Sequence, residues 1–226
     1  MRNSFLFTFL VFVSFSLLGQ NAMTAISKIN AKYASVKDYK VQVEVKASIP
    51  MIKILPSKAM IYFKQKNKFK IVSKGIVLLP KQGFSELYEF LAQPSKYMAV
   101  YGGFEVINGV KTHEVNVIPD EATNEMVLAK LWMDEENNVV MKSQITTKSN
   151  GTILTYYEYA DQLKFGLPSK MTFEIDVKKF KIPKSVAADI NKAKKEKTKE
   201  KKKGTIVIIL SDYTVNKGIE DSFFSK

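Results

Sequence analysis

From Tyr39 to Val215, short segments alternate between apolar and polar side chains, and this constrains the fold more than any other feature. Tyr39, Val41, Val43 and Val45 alternate with Lys40, Gln42, Glu44 and Lys46. Ala59, Ile61 and Phe63 alternate with Lys58, Met60, Tyr62 and Lys64; after a turn at 65–67, Phe69 and Ile71 alternate with Lys68 and Lys70. Met171, Phe173, Ile175 and Val177 do the same with Lys170, Thr172, Glu174 and Asp176. A period of two places each set on one face of a pleated strand, so these segments read as half-buried strands. Further strands are expected at 97–101, 104–107, 110–117, 126–134, 139–148, 152–159 and 205–215. Asn108-Gly109 supplies a two-residue hairpin turn, and Gly102-Gly103 reads as a turn or bulge. The result is about ten strands in meander order.

Two segments change the period. In Asn21–Lys37, Ala22, Ile26, Ile29, Tyr33 and Val36 recur at three- and four-residue steps, the pattern of an amphipathic helix. Phe84–Gln93 reads as a short inner helix with Phe84, Leu87, Tyr88 and Leu91 on one face, and Pro94 follows it. The expected class is α+β: one large, strongly curved antiparallel sheet with helices on one face.

The first twenty residues have a different character. Arg2 precedes an apolar run, Phe5–Phe15, which small and polar residues close near Gln20. The run has roughly 12–14 strongly apolar residues against the ~20 a spanning helix needs, so 1–20 reads as a cleavable secretory signal peptide. Residues 21–226 are expected to form a single domain, delivered to the periplasm. The chain has no cysteine, hence no disulfide, no thiolate metal site and no cysteine to acylate. A monomer untethered to a membrane is the expected product.

Net charge is +13, or +12 once Arg2 leaves with the signal, and every other basic residue is lysine. Arginine prevails where phosphate is read in bidentate fashion, so no nucleic-acid partner is expected. Twelve lysines crowd Lys178–Lys203 against Asp189, Glu196 and Glu200, and 178–204 reads as a solvated hairpin loop. Near an anionic membrane surface such residues contribute about 1 kcal/mol each. Lys192, Lys194, Lys195, Lys197, Lys199, Lys201, Lys202 and Lys203 are therefore the candidates for a membrane contact.

No enzyme motif stands out. His113 is the only histidine and sits on an alternating strand, where a surface or packing role is expected. One histidine without cysteine makes no zinc set, and no metal or cofactor is expected. The carboxylates of Asp134-Glu135-Glu136 lie in an expected turn. Fifteen Phe and ten Tyr fit either a filled core or a cavity for an apolar ligand.

The order of elements carries a resemblance. The helix Thr24–Asp38 running into Tyr39–Val45, the hairpin of Ala59–Phe63 and Lys66–Ile71, and Leu131-Trp132-Met133-Asp134 turning into Val139–Ile145 resemble the LolA-like family of outer-membrane lipoprotein carrier and sorting proteins. Tyr156–Leu163 followed by Gly166-Leu167-Pro168, and the tail Tyr213–Phe224, are similar to it too. The resemblance implies an unclosed half-barrel lidded by the N-terminal and inner helices, with an apolar cavity for the acyl chains of lipoproteins or lipids. It implies carriage from an inner-membrane transporter to an outer-membrane receptor, with no bond made or broken. A lipid- or lipoprotein-sensing regulatory protein of the same fold is the second reading, and an enzyme the third.

On that fold, strand alternation makes the cavity wall Val41, Val43, Val45, Ile61, Phe63, Phe69, Ile71, Val139, Met141, Ile145, Met171, Phe173 and Ile175. The same positions would serve as plain core. The lid is Ile26, Ile29 and Tyr33 with Leu87 and Leu91. The family's carriers latch their lid with an arginine on an early strand. No arginine follows Arg2 here, and Lys64 or Lys66 is the stand-in.

Overall fold

The computed structural model describes residues 22–50, 54–66, 68–75, 77, 86–120, 125–149, 151–176 and 203–225. Residues 1–20, expected to be a signal peptide, Phe84, Val177 and the lysines from Lys178 to Lys202 lie outside them. A helix at 22–34 (α1) leads into β1 (Asp38–Ser48), β2 (Ser57–Lys64) and β3 (Lys68–Ser73). A short helix, α2 (Glu86–Leu91), precedes β4 (Tyr97–Ile107), β5 (Val110–Pro119), β6 (Met126–Asp134) and β7 (Val139–Thr147). The chain continues through β8 (Gly151–Glu158), β9 (Lys170–Asp176) and β10 (Lys203–Val215).

The ten strands make one open antiparallel sheet in the order β3-β2-β1-β10-β9-β8-β7-β6-β5-β4. The expected meander holds from β4 to β10. It then breaks, because β10 pairs with β1 along nine matched positions from Tyr39↔Val215 to Ser48↔Thr205. The first three strands thus extend the far side of the sheet, and β3 and β4 become its free edges. Lys203 stands opposite Asp176, which confirms that β9 and β10 are neighbours on either side of the lysine-rich segment.

The sequence suggests two strands at 97–107 where the structure has one. Tyr101 pairs with Val115 and Phe104 with His113, so Gly102 and Gly103 together face Glu114 alone. That two-against-one count is a β-bulge. A Cβ on Gly102 would lie 2.9 Å from Glu114 Oε1 and 3.0 Å from Asn116 Nδ2, which explains a residue without one. Asn108 and Gly109 both take positive φ, 50° and 81°, as the tight hairpin turn between β4 and β5 requires.

Alternation delivers a continuous inner face. One row runs in register through Ala47, Ile206, Phe173, Thr155, Ser143, Leu131, Val115 and Tyr101, crossing eight strands. A second runs through Ile175, Ile153, Ile145, Ala129, Val117 and Ala99. Small side chains at Ala99, Ala129, Ser143 and Thr155 leave room where the large ones do not. All but the half-buried Ala47 and Tyr101 are buried.

Candidate functional site

The inner face is closed by α1 and α2. Ala22, Ala25, Ile26 and Ile29 of α1 and Leu87, Tyr88 and Leu91 of α2 are buried in one cluster with the sheet. The five side chains assigned to the lid from sequence lie here: Ile26, Ile29, Leu87 and Leu91 are buried, and Tyr33 packs partly buried on the same cluster. Tyr33 also stacks on Tyr88, ring centroids 4.3 Å apart and planes within 7°, which joins the two helices directly.

Polar ties among the described residues join the lid helices to each other and to the body, Tyr88 and Tyr159 sharing one of them. Asn30 Nδ2 donates to the Leu91 carbonyl at 2.6 Å, and the Tyr97 hydroxyl donates to the same oxygen at 2.8 Å. Lys32 Nζ donates to the Asn137 carbonyl at 2.5 Å. Gln65 Nε2 reaches the carbonyls of Ala34 and Val36, at 2.7 and 3.1 Å, beyond the end of α1. Asn216 accepts the Lys37 N–H at 2.7 Å and donates to the Ser35 carbonyl at 3.0 Å, fixing the same exit from the far end of the chain.

The wall residues named from sequence fall into three places. Val41, Val43, Val45, Ile61, Phe63, Ile145, Met171, Phe173 and Ile175 are buried in the cluster beneath the lid. Val139 and Met141 are buried elsewhere, in a smaller cluster with Ile107 and Trp132. The register slips between Trp132 and Met133, so that Met133 faces Val140 and Val140 takes the inward place. Phe69 and Ile71 share the face of Phe63 and Ile61 by register, but sit on the edge strand and stay 40 % and 42 % exposed.

What fills the space under the lid is tyrosine. Tyr33, Tyr39, Tyr88, Tyr157 and Tyr213, with Leu167, Met171 and Leu210, line a residual space of about 20 Å³, enough for one water. Tyr157 shares a 3.0 Å hydrogen bond with Ser143 Oγ, Tyr159 donates to the Val140 carbonyl at 2.8 Å, and Tyr213 to the Pro168 carbonyl at 2.9 Å. Burial pushes the phenol pKa of Tyr39, Tyr88, Tyr159 and Tyr213 far above the usual range. It pushes Tyr157 up to about 12, against hydrogen bonds to Ser143 and Thr155 that pull the other way. Of this group only Tyr33 was assigned to the site from sequence. The signal was there: Tyr39 and Tyr157 sit at inward positions of their strands, yet tyrosine's polar tip lets it pass for a boundary residue.

The lysines considered for the latch do something else. Lys64 Nζ donates to the Ile219 carbonyl at 2.5 Å and pairs with Asp221 at 2.6 Å, so it grips the C-terminal tail. Lys68 joins it on Asp221 at 2.8 Å. Lys66 lies exposed in the β2–β3 turn with positive φ.

His113 is half-buried, as its strand position suggests. Its Nδ1 is 2.6 Å from Glu135 Oε1, and the Tyr101 hydroxyl donates to the same oxygen at 2.6 Å. Burial alone would raise the Glu135 carboxyl, but these hydrogen bonds and the charges of His113 and Lys28 hold it below its ordinary value. These groups, with Thr24, Ala25 and Phe104, border an open pocket of about 470 Å³ beside the first turns of α1. Among the described residues no group of three His, Cys, Asp or Glu is placed to hold a metal ion. None of the described helices is long and apolar enough to cross a membrane.

No protein-family sequence model matches the chain, and no curated protein sequence does. Solved structures do. A DUF1329 family protein from Desulfovibrio piger superposes with a TM-score of 0.61 at 12% identity, over 92% of this chain and 97% of that one. A domain from Vibrio parahaemolyticus described as an outer membrane lipoprotein-sorting protein gives 0.60 at 11% identity, over 91% and 97%. A LolA superfamily protein from Nitrosomonas europaea gives 0.58 at 12% identity, over 91% and 97%. With ten antiparallel strands left open and helices closing the inner face, the chain has the LolA-like fold.

Proposed function

We propose that this chain is a periplasmic carrier that holds acyl chains of a lipoprotein or lipid between the inner face of its sheet and its two lid helices. The observation that carries the reading is the lid itself: Ile26, Ile29, Leu87 and Leu91 meet the sheet almost wholly through apolar contacts. Moving such side chains into water costs about 1.5–3 kcal/mol each, so the empty protein stays shut around its small tyrosine-lined space. An acyl chain inserted beneath the lid restores the lost burial at about 0.8 kcal/mol per CH₂. A fatty chain of ordinary length then supplies roughly 10 kcal/mol before the entropy of binding is subtracted. Opening and loading are thereby close to balanced, which suits transfer in both directions.

On this reading 1–20 is removed on export and 21–226 works as one domain. A membrane-bound donor loads the cargo and an outer-membrane receptor takes it by offering a better apolar site. The chain makes and breaks no covalent bond. The lysine-rich loop, up to Lys203, adds a contact to anionic membrane. Two of the structurally similar proteins are themselves described as a lipoprotein-sorting domain and a LolA superfamily member, which supports the reading.

Native mass spectrometry of protein taken from its own periplasm tests it. A co-purifying lipid or acylated peptide is the expected result. Protein that is empty in every preparation, and that takes up no fluorescent fatty acid in vitro, would sink the carrier reading.

A further inference from the structure

Among the described residues, most of the exposed large apolar side chains gather at the two free edges of the sheet, and Ile118 and Val127 lie on β5 and β6. On the β4 side, Met98, Val100, Phe104 and Val106 are exposed near Glu105 and the half-buried Glu114, which pair with Lys142 and Lys130, and Lys111 lies over the Phe104 ring. The β3 side differs in charge. From Lys46 to Lys81 the sequence holds nine lysines and no Asp or Glu. On this side Leu55 is 72 % exposed and Val72 48 %, beside the exposed Phe69 and Ile71.

Some of these lysines are already engaged. Lys64 and Lys68 hold Asp221, and Lys70 donates to the Phe223 carbonyl at 2.7 Å. Lys58, Lys66 and Lys74 are exposed and make no ion pair among the described residues. Lys58 and Lys74 rim an open groove of about 870 Å³, and Leu55, Met60 and Val72 line it. Met60 faces Val72 across the β2–β3 ladder, so the apolar part of the groove is continuous.

Lysine on an edge strand would by itself be explained as protection against strand pairing. That explanation fails for an edge that also exposes Phe69, Ile71 and Val72, since apolar edges invite the pairing. Leu55, Met60 and Val72 rimmed by Lys58 and Lys74, with Lys66 exposed at the hairpin's other end, match the interfacial layer of a bilayer with anionic headgroups. A lysine is a point charge on a flexible apolar stem, which adapts to phosphates at shifting positions while the stem stays in the interface.

We propose that the β2–β3 edge docks the protein on an anionic phospholipid bilayer. Leu55 and Val72 enter the interface from the groove face and Phe69 and Ile71 from the opposite face of the same edge strand, while Lys58, Lys66 and Lys74 meet the headgroup phosphates. This surface is separate in sequence from the lysine-rich 178–203 segment and does not depend on cargo carriage.

The test is co-sedimentation of the chain from Asn21 to Lys226 with vesicles of phosphatidylcholine alone or mixed equally with phosphatidylglycerol, at low and high salt. Binding is expected on the mixed vesicles only, and to weaken with salt. Each lysine near the surface is expected to contribute about fivefold, so the combined Lys58→Gln, Lys66→Gln, Lys74→Gln variant should bind about a hundredfold more weakly. The corresponding arginine variant should retain binding, and Leu55→Ser with Val72→Ser should lose it while melting as the parent does. In a chain lacking Lys192–Lys202, which removes the separate contact proposed for that segment, the glutamine variant should weaken binding by the same factor. Undiminished binding by the glutamine variant overturns the proposal, as does equal binding to phosphatidylcholine. Capture by polyglutamate without binding to vesicles also overturns it. Fatty-acid uptake by the glutamine variant reports separately on the carrier reading, which predicts no change.

Discussion

Asn30 on α1 donates to the Leu91 carbonyl of α2 at 2.6 Å, while its own side-chain oxygen is buried with no hydrogen-bond partner. The contact joins the two lid helices at the cost of one unsatisfied acceptor. Asn30→Leu removes both the bond and the orphan oxygen, and the Leu91 carbonyl keeps its 2.8 Å bond from Tyr97. Stability should therefore change by no more than about 1 kcal/mol in either direction. Asn30→Asp replaces the donor with a second acceptor and brings a charge toward the apolar cluster, and should cost about 3 kcal/mol. Urea unfolding of the two variants at neutral pH decides it. An aspartate variant as stable as the leucine variant would show that the helices are not tied at this point.

Hydrogen bonds from Lys64 and Lys68, reinforced by their charges, hold the exposed Asp221 carboxyl down to about 2. Because the folded value lies below the usual ~3.9 of an unfolded aspartate, the tail clasp is at full strength above that pH and is lost as pH falls through about 2. A carboxyl NMR titration should find the low midpoint. It should return toward the ordinary aspartate range in Lys64→Met with Lys68→Met, and in high salt even in the parent. A midpoint that ignores both lysines would dissolve the clasp.

At the β4 bulge, Gly102 and Gly103 respond differently to the same substitution. A Cβ at Gly103 meets nothing within 4 Å, whereas one at Gly102 meets Glu114 Oε1 at 2.9 Å. That oxygen also accepts from Lys130 at 2.9 Å and from Asn116 at 3.1 Å. Gly102→Ala must therefore push aside a carboxylate with two partners, and should cost about 1 kcal/mol more than Gly103→Ala. Thermal melts of the pair provide the comparison, and equal losses would mean that Glu114 swings away freely.

These elements show what a sequence can and cannot disclose here. Alternation located the strands because it is local, and the Asn108-Gly109 turn is legible for the same reason. The pairing of Tyr39 with Val215 joins opposite ends of the chain, and nothing in either segment alone announces it. Val139 and Met141 left the expected wall because a slip of register between Trp132 and Met133 reverses which residues point inward. A period of two contains no warning of such a slip. Phe69 and Ile71 have the correct face but lie on the edge strand, and edge position is a property of the assembled sheet. Lys64 is the stand-in for the family's arginine only by its charge and its place on an early strand, whereas its partner Asp221 is far off in sequence and reaches it because the tail folds back onto β2.

The tyrosines under the lid make stability sensitive to alkaline pH. Tyr39, Tyr88, Tyr157, Tyr159 and Tyr213 all ionise less readily in the fold because of burial. Their folded values lie above the ~10 of an unfolded tyrosine. The unfolded chain therefore gives up phenolic protons first, and stability present below pH ~10 declines as pH rises through and beyond it. Each tyrosine still protonated in the fold contributes up to about 1.4 kcal/mol of loss per pH unit. Urea unfolding in steps from neutral pH upward should show a flat region and then a steep fall, with these five tyrosines ionising only as the protein unfolds. Tyr88→Phe removes one of these groups and a ring hydroxyl of the lid, and should make the fall measurably shallower. If these five tyrosines instead ionise near pH ~10 with the fold intact, as single Tyr→Phe variants would assign, the space beneath the lid is open to water. The closed arrangement from which acyl loading was argued would then be wrong.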